Sequence, residues 1–189
     1  IISLIFSVGL FFILPGIIYN LLAGIIKNTV ILNLIEGLVR ILIFTCYLVL
    51  VSLNRDIQRV FMYHGAEHKT IFAYECGAEL TVENVKKYKR FHPRCGTSFL
   101  VFVMLISILV FSVIPKNLGA FEMSGIVRIL IKLLLLPVVS GISYEIIKWA
   151  GRSDNAVVTL LSKPGMWLQK LTTREPDDEQ IEVAIAALS

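Results

Sequence analysis

The sequence predicts an all-α, polytopic membrane protein of about four transmembrane helices, with a cytoplasmic helical loop that carries a metal motif. Three observations carry this reading. The 189 residues are 56% hydrophobic and only 17% charged, with a mean hydropathy of +0.78, whereas a soluble domain carries about 25% charged residues. The apolar residues fall in long blocks rather than in short alternating runs, which is the pattern of membrane spans. The basic residues gather on alternate connections between those blocks. Disorder, a secreted disulfide scaffold and an ordinary cytosolic enzyme all fit this composition poorly.

The first block runs from Ile1 to about Ile26, where Pro15-Gly16 can divide it into a short helix and an interfacial segment. The second runs from about Val30 to Leu53, the third from about Thr97 to Ile114 and the fourth from about Ile126 to Ala150. A block of about 20 residues spans a hydrocarbon core of ~30 Å, so blocks two and four cross comfortably and block three barely does. The stretch 54–96 holds eight Lys and Arg, and the tail from Lys148 holds five. The connections near 27–29 and 115–125 hold one each, Lys27 and Lys116. The positive-inside rule therefore places 54–96 and the C-terminus in the cytoplasm. It also accounts for the basic residues without nucleic acid, which is not expected as a partner. The expected organisation is a transmembrane domain over 1–153, with 54–96 as a cytoplasmic insertion, and a cytoplasmic or interfacial tail over 154–189.

Three cysteines, Cys46, Cys76 and Cys95, are an odd, sparse set that fits a reducing compartment and forms no disulfide framework. The chain starts at Ile1 without Met and shows no signal-peptide cleavage pattern, so the true start is expected upstream. In the tail, Ser162-Lys163-Pro164-Gly165 reads as a turn, and Met166, Trp167, Leu168 and Leu171 suit the membrane interface. A last helix is expected to begin with Glu175-Pro176-Asp177-Asp178-Glu179, with acids at its dipole-favoured start and an apolar packing face of Ile181, Val183, Ala184, Ile185 and Leu188.

The chemistry concentrates in Tyr63-His64-Gly65-Ala66-Glu67-His68-Lys69. With no Pro after block two, a helix can run from the membrane through Asp56 into this string. His64 and His68, one turn apart, then point the same way and can grip one divalent ion. Glu67, at i+3 from His64, can serve as general base toward a coordinated water. H-x-x-E-H is the inverted zinc-peptidase pattern. The bland reading leaves both histidines hydrogen-bonded near lipid headgroups, and a pH-sensing role is a further alternative. A third ligand is required, and the candidates are His92, Cys95 and Glu145, with Cys76 and Glu75 nearby in sequence. Pro93 fixes the backbone beside them, and Gly96 permits close approach. Glu145 sits in an apolar block, where a carboxylate is expensive and functional by default; its alternative is an ion pair with Lys148 or Arg152. A second polar set, Glu36, Arg40, Arg128 and Lys132, reads as an interhelical charge lock or, alternatively, part of an ion path.

The strings Leu34-Ile35-Glu36-Gly37-Leu38, Tyr63 to Thr70, His92-Pro93-Arg94-Cys95-Gly96-Thr97-Ser98 and Gly141-Ile142-Ser143-Tyr144-Glu145 together resemble the YqhQ-like family of bacterial membrane proteins of unknown function. The resemblance runs from about residue 30 to the end. Members are described as predicted metal-dependent enzymes and carry a further N-terminal portion. The resemblance thus implies a multi-pass protein of the bacterial cell membrane with a metal-dependent activity, and names no substrate.

Three functions remain open on these grounds. One is a metal-dependent hydrolase or peptidase at the cytoplasmic face, the reading that makes Glu67 the catalytic residue, with zinc on His64, His68 and one of His92, Cys95 or Glu145, and a membrane protein or lipid of the bilayer as substrate. The second is a divalent-metal transporter or channel. The third is a non-catalytic scaffold in which a structural zinc closes all four ligand positions.

Overall fold

The fold follows from where the apolar blocks are interrupted. The computed structural model describes residues 1–92, 95–115, 117–118, 121–150 and 156–188, without the side chains of 117–118, 121–122, 150 and 156–162. Pro93, Arg94, Lys116 and Arg152, all used in the sequence reading, lie outside the described residues. In chain order the elements are α1 (Ile2–Val8), a π-helical turn (Gly9–Ile13), α2 (Leu14–Ala23), α3 (Thr29–Ser52), α4 (Arg55–Glu75), α5 (Val82–Lys86) and α6 (Gly96–Ser112). A hairpin of two two-residue strands, β1 (Asn117–Leu118) and β2 (Phe121–Glu122), precedes α7 (Gly125–Ala150), α8 (Ala156–Thr172) and α9 (Asp178–Leu188). Among the described residues the regular structure is all helical apart from that hairpin, as the blocks predict.

Ile2–Ala23, Thr29–Ser52 and Gly125–Trp149 are long and apolar enough to cross a membrane, and α6 is a shorter apolar helix. Its 17 residues rise about 25 Å, just short of a ~30 Å core. Only 11%, 17% and 17% of the three spans' most apolar windows are buried inside the protein. Leu134, Val113 and Ile126 are each more than 70% exposed. So much outward apolar surface requires an apolar solvent, and the chain is a membrane protein.

The residues divide into two compact units, 1–47 with 102–146 and 48–101 with 147–189. In the first unit, Pro15-Gly16 does not break the first block. Pro15 has no N–H to give the carbonyl of Phe11, four residues back. The chain absorbs this with the π-helical turn at Gly9–Ile13, and Arg40 Nε donates to the Phe11 carbonyl instead, at 2.9 Å. Asn33, buried in α3, donates to the carbonyls of Ser112 (3.1 Å) and Ile114 (3.0 Å). Gly37 meets Ile108 so closely that a Cβ would collide with it. Ile106, Phe111, Ile114 and Val139 form this unit's core. The expected charge lock is present: Glu36 pairs with Arg40 at 3.2 Å and with Lys132, and Arg128 lies 4.0 Å away.

In the second unit the helix of block two does not run on into the histidine string. Asn54 is extended and accepts from Asp56 N–H (2.8 Å) and Ile57 N–H (3.4 Å), starting α4 afresh. Ala66 and Ala73 of α4, Val85 of α5 and Ile181 of α9 make its core, with Ala184 and Ile185 against it. Asp177 and Gln180 exchange side-chain-to-backbone bonds at 2.9 and 3.1 Å, capping α9 reciprocally. The expected turn at 162–165 is instead helix, since α8 continues through Pro164. Gly165 accounts for this: it packs on Ser98 with no room for a Cβ, whose nearest atoms would be 2.5–2.9 Å away. Tertiary packing thus outweighs the one backbone bond that Pro164 forfeits.

Candidate metal centre

The α4 register places His64 and His68 on one face, their ring centroids 4.4 Å apart. Cys95, at the start of α6, meets them. One ligand atom from each of His64, His68 and Cys95 lies within 4.8 Å of the other two. Which imidazole nitrogen faces the group is decided by carbonyls, which can only accept. His64 Nδ1 sits 2.8 Å from the Thr172 carbonyl and His68 Nδ1 2.5 Å from the Arg90 carbonyl, so both Nδ1 atoms carry the proton and donate. Both Nε2 atoms are thereby left to the centre, free of a proton to take a metal, as in metal-binding histidines oriented by a carbonyl, or protonated to donate to the Cys95 sulfur. His64 Nε2 lies 3.1 Å from Cys95 Sγ.

Burial alone would push the Cys95 thiol up, but hydrogen bonds from His64, His68 and Thr97 outweigh it and bring it down to about 5. Thr97 N–H donates to the sulfur at 3.4 Å, and the Thr97 hydroxyl lies 3.2 Å away, so the thiolate caps the first turn of α6. The hydrogen bond to Cys95 raises His64 above its ordinary value, more than burial lowers it. Proton and metal thus compete for one set of atoms. Two imidazole nitrogens and a thiolate are a donor set that zinc favours.

The group opens onto a cavity of about 540 Å³, whose wall also includes Glu67, Glu75, His92 and Leu100. Glu67 is exposed on that wall, near enough for its charge to favour protonation of His64. His92 stands apart from the three-atom group: its ring is 5.8 Å from that of His68, and its Nε2 lies 3.4 Å from Glu75. The His92 backbone is held by Gln169, which accepts from its N–H at 2.8 Å and donates to its carbonyl at 2.7 Å. Glu145 lies exposed on α7, in the other unit, and Cys76 is exposed just past the end of α4.

Several contributors escaped sequence reasoning. The carbonyls of Thr172 and Arg90 have no side-chain signature. Gly65 does have one, since it stands inside the motif: a Cβ there would collide with the Arg174 carbonyl. Only glycine lets the chain after α8 cross α4 closely enough for Thr172 to reach His64. Arg174 N–H then donates to the Phe61 carbonyl at 2.9 Å.

Over residues 1–189 the sequence matches the family described as Protein of unknown function (DUF1385). The chain belongs to that family. A relative, the uncharacterized protein YqhQ of Bacillus subtilis (strain 168), is 37% identical over 190 residues, covering 100% of this chain and 58% of its own length. The DUF1385 match therefore includes the first thirty residues, which the sequence reading left outside the resemblance, and the chain spans under two thirds of that relative. No solved structure matches the chain.

Proposed function

We propose that this DUF1385 protein is a membrane-embedded, metal-dependent hydrolase that works at the cytoplasmic face, with zinc as its metal. The observation that carries the reading is the orientation of two imidazole Nε2 atoms and the Cys95 sulfur toward one another at the edge of a cavity. Three protein ligands and an open side are the pattern of catalytic zinc, whereas a structural site closes all four positions. His64, His68 and Cys95 would hold the ion, which when bound supplies Lewis acidity and acidifies a coordinated water. Glu67, on the same cavity wall, would act as general base and acid, its carboxylate taking up a proton and returning it to the leaving group. The carbonyls of Thr172 and Arg90 hold both imidazoles in register throughout. The substrate class is a peptide or ester bond presented at the membrane surface. The basic content of 54–96 and of the tail supports the cytoplasmic orientation. A divalent-cation transporter is less well supported, because the buried cluster of the first unit sets three cations against one carboxylate and repels a cation.

A second reading is favoured by the Cys95–His64 pair itself. A thiol lowered to about 5 beside an imidazole at 3.1 Å is also the arrangement of a nucleophilic cysteine. Elemental analysis of the purified protein separates the two. The metal reading expects about one equivalent of zinc in the wild type, lost in His64→Ala, His68→Ala and Cys95→Ala. Loss of metal in Glu145→Ala as well would add a fourth ligand. Metal-free wild-type protein with normal cellular function would leave the nucleophile reading in its place. Glu67→Gln then tests the base: it should keep the metal and abolish complementation of a deletion strain, and full complementation would sink the hydrolase.

A further inference from the structure

A second site lies in the first unit, away from the histidines. Glu36, Arg40, Arg128 and Lys132 are all at least 93% buried. Among the described residues, one carboxylate against three cations leaves two positive charges uncompensated in a membrane-spanning segment, where a buried charge is expensive. Glu36 accepts from Arg40 and Lys132, and Arg128 Nη2 donates to Asn33 Oδ1 at 2.7 Å. Two buried polar atoms of this cluster's surroundings nevertheless have no partner among the described residues, Arg128 Nη1 and the Tyr19 hydroxyl. Tyr19 and Arg128 are stacked, with the guanidinium carbon 3.7 Å from the ring centroid, so the guanidinium is held in a fixed plane. Both residues, with Lys132 and the carboxylate of Glu36 that it holds, line one cavity of about 300 Å³. Ile17, Ile126 and Ile129 line it too.

A charge lock needs neither the cavity nor the surplus charge. A bound anion explains both. It would neutralise the excess, take one of the two Lys132 protons that Glu36 leaves unused and, with a small turn of both side chains toward the cavity, accept from Arg128 Nη1 and the Tyr19 hydroxyl, which neighbouring protein atoms now cover. Three converging donors of different geometry suit a tetrahedral oxyanion, and the isoleucine lining suits a group that carries hydrocarbon. We propose that this cavity binds a phosphate group, carried by a lipid headgroup or free as inorganic phosphate.

The test uses the full chain in a neutral detergent, titrated calorimetrically with inorganic phosphate and with dihexanoyl phosphatidic acid, and with dihexanoylglycerol, which has the same chains and no phosphate, as control. Saturable binding of one equivalent is expected, weakened about tenfold or more in Arg128→Gln and in Tyr19→Phe, the effect of removing one hydrogen bond to a charged group. The exposed Lys87→Gln should bind as the wild type does. Tyr19→Phe keeps the ring beneath the guanidinium, so it remains decisive if Arg128→Gln fails to fold. Binding of phosphatidic acid alone would name a lipid headgroup as the source, and equal binding of inorganic phosphate would name the free ion. No saturable binding of either probe, binding indifferent to both variants, or equally tight binding of dihexanoylglycerol would overturn the proposal.

Discussion

His64 and Cys95 sit 3.1 Å apart and move in opposite directions, the thiol down to about 5 and the imidazole up. A thiol whose folded value is depressed stabilises the fold fully above its ordinary value of 9.0 and loses that contribution as pH falls through about 5. A raised imidazole does the reverse: its contribution is complete below 6.5 and is lost as pH rises through the raised value. Above 6.5 the two oppose each other; between 6.5 and 5 the thiol acts alone. Chelator-treated protein should therefore lose thermal stability on acidification through that window, and Cys95→Ser should flatten this part of the melting-temperature profile. The same thiolate predicts that iodoacetamide modifies Cys95 of chelated protein at an undiminished rate down to about pH 6, read by peptide mass spectrometry, and that His64→Ala moves the fall in rate to higher pH. Added zinc should protect Cys95.

At the scale of elements, the centre depends on how α8 and the chain beyond it lie against α4 and α6. Gly65→Ala forces a methyl into the Arg174 carbonyl. It should cost about 1–3 kcal/mol by overpacking and, by shifting Thr172, weaken zinc binding about 10–100-fold; thermal denaturation and competitive zinc titration read the two effects. Gln169 joins α8 to the segment ahead of α6 through both backbone groups of His92. Gln169→Leu would leave a buried N–H and carbonyl unmet at about 1–3 kcal/mol each, which chemical denaturation would register. Asn54→Ala, by contrast, removes only a cap and should cost about 1 kcal/mol.

At the scale of the whole molecule, the proposed orientation rests on the basic content of 54–96 and of the tail, which the positive-inside rule assigns to one side of a membrane. Cys76 is exposed in the second unit. In a variant with the other two cysteines replaced, a membrane-impermeant maleimide should label Cys76 only after the cells are permeabilised. Labelling in intact cells would reverse the orientation proposed for the metal centre.

The sequence by itself determined the helical membrane class, because block length and charge depletion are properties of the chain that the bilayer reads directly. It also determined that His64 and His68 share a face, because i, i+4 spacing is local geometry, and that Glu36, Arg40, Arg128 and Lys132 belong together, because buried charge must find its opposite. Tertiary structure decided the rest. Cys95 joins the histidines through a contact spanning 31 residues and the Thr172 carbonyl through one spanning 108, separations over which no periodicity carries information. Pro15 and Pro164 read as breaks because their local cost is fixed. Both remain helical because remote partners meet that cost, Arg40 at the Phe11 carbonyl and Ser98 against Gly165. A carbonyl that fixes a tautomer, and a glycine that lets it approach, act through backbone atoms that every residue shares; only the fold could say which ones do so here.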